Sequence, residues 1–568
     1  MARSPWSKYE ALLAHLDPEE HISPVPELLG TNTVPSSTQA DAIRQYLDGV
    51  DNELQHLESI LLKLAERRDS LRSSADGHRA LLSPARKIYP DLLREIFAHC
   101  PKGAPTHYPD TTSISLPDNF SPRHGPLLLT QICRSWRQTA ITAPNIWSTI
   151  RFVLGPRSKA DPINLWLERS ANCDLTIAVL EHPNPSSRAA LWGLRFNEEA
   201  LGLLASQAHR WKTAFFSLCI GGPHWHALDG AKGKMERLRH LTVHPSPGFN
   251  QRIMPTLFTG LSGLTYLSLN RHVSGEGFPE DGSSIKHLCY EKHEGTHGGS
   301  YVPIGECLEI MRRLPNLESC SLQCSMFTLT SITNTTMVEL KDFEIQMAYH
   351  PRDRKPEELW NALQLPNLSA LTITSQFPST PLDHGALSSL IARCPRLTSL
   401  FLAWYSALEP EHIIEVLRQA SRVSSLRLRL HEYSAEVLYC ISQSTASELL
   451  PMLPSLKEIH ISMISFPWSA HLPSDDFFAA FFQMVTRRMA LSNTAQSEAT
   501  LDSKHLLHRA ELQLKIPPDT QAVTLHHIDT VLDRMEGLNS EDVDRHIVHG
   551  EDGGYPTLAI QLVRRRPQ

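Results

Sequence analysis

"ARCPRLTSLFL", Ala392–Leu402, reads as the end of a helix, a turn and the start of a strand. Pro395 cannot continue a helix, and apolar side chains then fall at Leu397, Leu400 and Leu402. The same beat, an apolar residue followed by others three and five positions on, begins at Trp211, Leu238, Leu264, Ile285, Leu317, Leu340, Leu368, Leu397, Val423 and Leu456. Its last two members alternate with other residues, as a half-buried strand requires. Between beats, Gly305–Leu314, Pro356–Leu363, His384–Ala392 and Pro410–Ala420 carry apolar residues at helical spacing, often closed by proline.

Strand, turn, helix, turn is therefore the predicted unit, repeating at a mean of about 27 residues, within the range of leucine-rich repeats. Such a unit has one apolar face and cannot bury it alone. Neighbours are expected to stack into a curved solenoid lined by a parallel sheet, an α/β fold over residues 151–568. Near its end, DDFFAAFFQMVTRRMAL reads as a helix and RAELQLKI as a strand, and a helix near Val523–Met535 with a strand near Thr557–Val563 is expected to cap the array.

Upstream the text changes character. Residues 1–39 are rich in Pro, Ser, Thr and Glu, with room for one short helix near Tyr9–Leu16, and read as a mobile arm. Residues 40–78 then place Ile43, Leu47, Val50, Leu54, Leu57, Leu61, Leu64, Arg68 and Leu71 at alternating steps of four and three. That is a heptad seam on a long helix. It fits a homodimer through residues 43–71 or a helix folded back on its own chain, and the spacing leaves both open.

Next comes LLSPARKIYPDLLREIFAHC, Leu81–Cys100, in which Pro90 suits a first helical turn, Asp91 its positive end, and Leu92, Leu93, Ile96 and Phe97 one face. A proline-rich loop, residues 101–125, precedes LLLTQICRSWRQTAITAPNIW, Leu127–Trp147. This ordered text over roughly residues 82–150 resembles the F-box, in the form widespread among mushroom-forming fungi, and here it stands before leucine-rich repeats. Tyr89 departs from the leucine that usually precedes the proline, and the inserted loop splits a compact motif.

The resemblance implies helices that dock on the Skp adaptor of a Skp-cullin-F-box ubiquitin ligase, through Pro90, Leu92, Leu93, Ile96, Phe97, Ile132, Cys133 and Trp136. On that reading the chain is a non-catalytic adaptor needing no cofactor, and its repeats hold a target protein. Contacts are expected on strand positions facing away from the leucines: Tyr266, Glu344, Phe401, Trp404, Arg427, Arg429 and His460. Trp147, after Ala143-Pro144, is expected to plug the joint between these helices and the first repeat. The competing expectation is a scaffold that displays partners with no ligase attached.

Composition narrows the remaining classes. With 54 basic and 61 acidic residues the net charge is −7, which supplies no basic field for nucleic acid. No stretch approaches a membrane span, so a protein inside the cell, in cytoplasm or nucleus, is expected; ten scattered cysteines fit buried thiols in a reducing compartment. Cys320 and Cys324 lack a second pair at zinc-finger spacing. HEGTH, His293–His297, mimics a zinc-protease motif but sits among Gly295, Gly298 and Gly299 after a strand beat, so it reads as an exposed loop. Neither a phosphate-binding glycine loop nor a nucleophile elbow is present.

Overall fold

The computed structural model describes residues 22–100, 120, 123, 125–154, 160–181, 198–218, 224–244, 256–258, 260–270, 282–291, 302–325, 334–348, 357–375, 383–403, 410–430, 435–442, 452–463, 475–489, 506–515, 543–552 and 555–564. The expected helices near Tyr9–Leu16 and Val523–Met535, most of the 101–125 loop, HEGTH and Trp404 lie outside these residues. Two compact units divide the chain, Met1–Leu92 and Leu93–Gln568.

The first unit is dominated by one helix, α1 (Ser37–Leu82), somewhat longer than the heptad text predicts. Ser36 starts it with a capping box: Gln39 N–H donates to Ser36 Oγ at 3.4 Å, and Ser36 N–H donates back to Gln39 Oε1 at 3.0 Å. Two of the orphan donors at the helix start are thereby satisfied. Its 46 residues give a rod of about 70 Å, and none of them is buried. Helix α2 (Pro90–His99) begins at the end of this unit and continues into the second.

In the second unit, α3 (Gly125–Ile132) and α4 (Arg134–Ile141) follow, then a tight turn at Pro144–Trp147. Strands β1 (Thr149–Leu154) and β2 (Leu175–Glu181), separated by α5 (Ala160–Arg169), come before the first repeated beat. The ten beats then supply β3 (Trp211–Ser217), β4 (His240–Val243), β5 (Tyr266–Asn270), β6 (His287–Glu291), β7 (Ser319–Ser325), β8 (Asp342–Ala348), β9 (Ala370–Ser375), β10 (Ser399–Ala403), β11 (Ser425–Leu430) and β12 (Glu458–Met463). Every residue of every beat is buried.

Between them lie α6 (Ile304–Arg312), α7 (Glu357–Ala362), α8 (His384–Ala392), α9 (Pro410–Gln419) and α10 (Ala435–Ser442). The first four match the helical text between beats. Helix α11 (Asp475–Met489), β13 (Arg509–Lys515), β14 (Val543–Asp552) and β15 (Tyr555–Arg564) complete the described chain.

These strands form one large, mostly parallel sheet in a mixed α/β fold. From β1 to β13 each strand pairs in parallel with its sequence neighbours, and only β15 and β14 add antiparallel at the end. A repeated main-chain link sets the spacing. The carbonyl of Arg239 accepts from the N–H groups of both Thr265 and Tyr266, that of Thr265 from Lys286 and His287, and so on through Lys286, Glu318, Lys341, Ser369, Thr398, Ser424 and Lys457, all at 2.7–3.1 Å. Backbone groups at the strand entrances, which would otherwise be orphaned, are satisfied unit by unit.

Side chains of the same column reinforce the link. Hydroxyls of Thr265 and Ser369 donate to the carbonyls of Arg239 and Lys341 at 3.0 and 2.9 Å. Glu318 sits between Lys286 at 2.7 Å and Lys341 at 2.6 Å, and these two ammonium groups hold its carboxyl down to about 2.

Candidate functional site

Helices α2, α3 and α4 are too short to bury all their large apolar groups, so the way they divide inside from outside defines what they offer. Leu93 and Phe97, one turn apart on α2, are each 1% exposed. Phe97 packs on Trp136 of α4, ring centroids 5.1 Å apart, and Leu129 of α3 and Ala140 of α4 are buried as well. The neighbouring pair on α2 points the other way: Leu92 is 58% and Ile96 47% exposed. On α3, Ile132 and Leu128, also one turn apart, are exposed, as is Ile141 on α4.

This division corrects part of the sequence expectation. Leu93 and Phe97 are core residues that hold the helices together, and Trp136 is half-buried against Phe97. Cys133 is half-buried too, and its Sγ caps α4 by accepting from the Trp136 N–H at 3.5 Å. Pro90, Leu92, Ile96 and Ile132 are exposed as a docking face needs. Leu128 and Ile141 are exposed too; Leu128 stands one turn before Ile132, which was the available signal, whereas Ile141, five residues after Trp136, offered none.

Trp147 lies where the sequence puts it, fully buried at the joint. Its Nε1–H donates to the Ala140 carbonyl of α4 at 2.7 Å, and its ring meets Trp166 of α5 edge-on at 4.8 Å. The Arg169 guanidinium covers its other side at 4.4 Å, and Phe120 packs on Trp166 at 5.0 Å from within the inserted loop.

The second surface is the sheet face that the beats leave outward. Pairing registers place Glu344, Phe401, Arg427 and His460 in one unbroken row, running from Ser321 through Glu344, Thr372, Phe401, Arg427 and His460 to Glu511. Arg429 stands in the next row along the strands, and Tyr266 in the row before, between His240 and His287 at ring distances of 5.8 and 6.4 Å. Ser321 Oγ donates to Glu344 at 3.3 Å.

Further along the row, which continues to Gln561 and His546, Glu511 organises a charged cluster. It accepts from Arg509 at 3.0 Å and Gln561 at 3.3 Å and lies 3.3 Å from His460 Nδ1. Burial pushes the His460 imidazole pKa down, Arg427 adding to the shift and Glu511 opposing it. Glu511 and Arg509 are not among the residues expected from the sequence: RAELQLKI reads as a strand but lies after the last beat, although its alternation shows which of its residues face outward.

Among the described residues no group of three His, Cys, Asp or Glu side chains is placed to hold a metal. Cys320 and Cys324 are buried free thiols of β7, and burial pushes the Cys320 thiol far up, away from the reactive thiolate. No helix among the described residues is long and apolar enough to cross a membrane.

No family model and no curated protein matches this chain. What it can do is therefore read from its surfaces: apolar side chains presented by small helices, and a mixed aromatic and charged row on a sheet.

Proposed function

We propose that this chain is the substrate-recognition subunit of a Skp-cullin-F-box ubiquitin ligase. On this reading α2–α4 form an F-box that docks on a Skp adaptor. The sheet and its helices form a leucine-rich-repeat solenoid whose outward row holds a target protein. The observation that carries the reading is the exposure of Leu92, Ile96, Leu128 and Ile132 on helices whose opposite faces are already packed. Large apolar side chains left in water on so small a helix set favour a protein partner, each gaining up to about 1.5–3 kcal/mol on burial.

The chain itself supplies no chemistry under this proposal. It brings a lysine of the target close to a ubiquitin-charged enzyme, and the gain is one of effective concentration.

The test mixes purified Skp adaptor with the full chain in size-exclusion chromatography. The wild type is expected to co-elute with the adaptor, and Ile96→Asp combined with Ile132→Asp to elute alone with an unchanged far-ultraviolet spectrum. Failure of the wild type to form the complex overturns the proposal. Leu93→Asp is unsuitable as a probe, since it places a charge in the core and unfolds the helices whatever they bind.

A further inference from the structure

Helix α1 divides its charge along its length. From Ser37 to Glu58 five acidic residues stand against one arginine, whereas from Ser59 to Leu82 five basic residues outnumber three acidic ones. In heptad terms Leu47, Leu54, Leu61 and Arg68 take position a, and Ile43, Val50, Leu57, Leu64 and Leu71 position d. All nine are exposed or half-buried. Glu53 and Arg67 flank the seam on one side, and Asp51, Glu58 and Arg72 on the other.

This pattern discriminates between orientations. In a parallel, in-register pair Glu53 would meet the partner's Glu58, Arg67 the partner's Arg72, and two Arg68 side chains would share a core layer. The two arginines in one core layer are the costly part, and the flanking like-charge pairs on the rim add a smaller repulsion. Turning one helix around lays the acidic half on the basic half instead.

We propose that α1 is the interface with a second copy of this chain, the two helices running antiparallel. In the register that sets Glu53 against the partner's Arg67, Leu47 packs on the partner's Leu71, Leu54 on the partner's Leu64 and Leu61 on the partner's Leu57. Arg68 then lies over the partner's Val50, with its charge held at the rim, where its Nε donates to Asp69 Oδ1 at 2.8 Å. Glu53 stands beside the partner's Arg67, twice by symmetry. Glu58 faces its own copy and Arg44 the partner's Arg72, but these are rim positions in water, where such contacts cost little. The eight apolar seam residues of each helix, at roughly 60–120 Å² apiece, bury about 500–1,000 Å² per copy. A stable interface needs about 800 Å² per partner.

Sedimentation equilibrium of the full chain, alone, tests this independently of any adaptor. The wild type is expected to be a dimer and Leu57→Asp with Leu61→Asp a monomer. Glu53→Lys or Arg67→Glu alone is expected to weaken the dimer about tenfold, and the two together to restore it. A parallel pair predicts the reverse, since Lys at position 53 would then meet the partner's Glu58 and tighten association. A wild type that stays monomeric at tens of micromolar, or single charge reversals that leave association unchanged or stronger, overturns the proposal. The charge-reversed positions are exposed, and circular dichroism checks that helix content is kept.

Discussion

Two tryptophans eleven residues apart do different work, and mutation separates them. Trp147 fills the joint between α4 and α5, so Trp147→Ala is expected to cost about 3–5 kcal/mol in urea unfolding, by loss of buried surface and the cavity left behind. Trp136, half in solvent, is expected to cost less. At His460 the pH matters. Its folded pKa lies below the ordinary 6.5, so between the two values the unfolded chain binds more protons, and stability held above about pH 6.5 is lost as pH falls through the folded value. Urea midpoints should drop between pH 7 and pH 5, and drop less in His460→Gln; equal slopes would show that the site does not contribute. Single residues were the least legible part of the sequence. Leu92, Leu93, Ile96 and Phe97 form one broad apolar stripe on paper, and only the packing of Trp136 reveals that its Leu93/Phe97 side turns inward.

Elements were far easier to read than residues. Each of the ten beats became a strand because two apolar residues at a spacing of two, with a third three positions ahead, can all be buried only if the chain extends there. Strand β2 lacks that leading residue, since Asp174 stands three before Ile177, whereas Trp147/Ile150/Phe152 gives β1 the full beat; neither strand is among the ten, although Ile150, Phe152, Ile177 and Val179 alternate plainly. The outward row follows from the same alternation, which is why Glu344, Phe401, Arg427 and His460 could be chosen in advance. Leu400→Ala, on the inward side of β10, is expected to cost about 2–5 kcal/mol. Its neighbour Phe401→Ala, combined with Arg427→Glu, is expected to leave the urea midpoint nearly unchanged while removing proteins captured by proximity labelling in cells. An unchanged captured set would dismiss this row as the target-binding surface.

On the scale of the whole molecule, the strand order repeats the chain order from β1 to β13 without a crossover. No strand is inserted between two that are already paired, and the carbonyl link at each entrance joins a unit only to the next. Length is thus not a fixed property of this architecture. Residues 399–424 hold one strand, β10, and the helix that leads to the next, and Ser399 occupies the same register place as Ser425. Excising that span in frame is expected to bring β11 beside β9 and yield a cooperatively unfolding protein with one strand fewer, as circular dichroism melts would show. A gene encoding such a chain can gain or lose a unit by unequal recombination and still specify a foldable product, so the length of its sheet can be changed without redesigning its core.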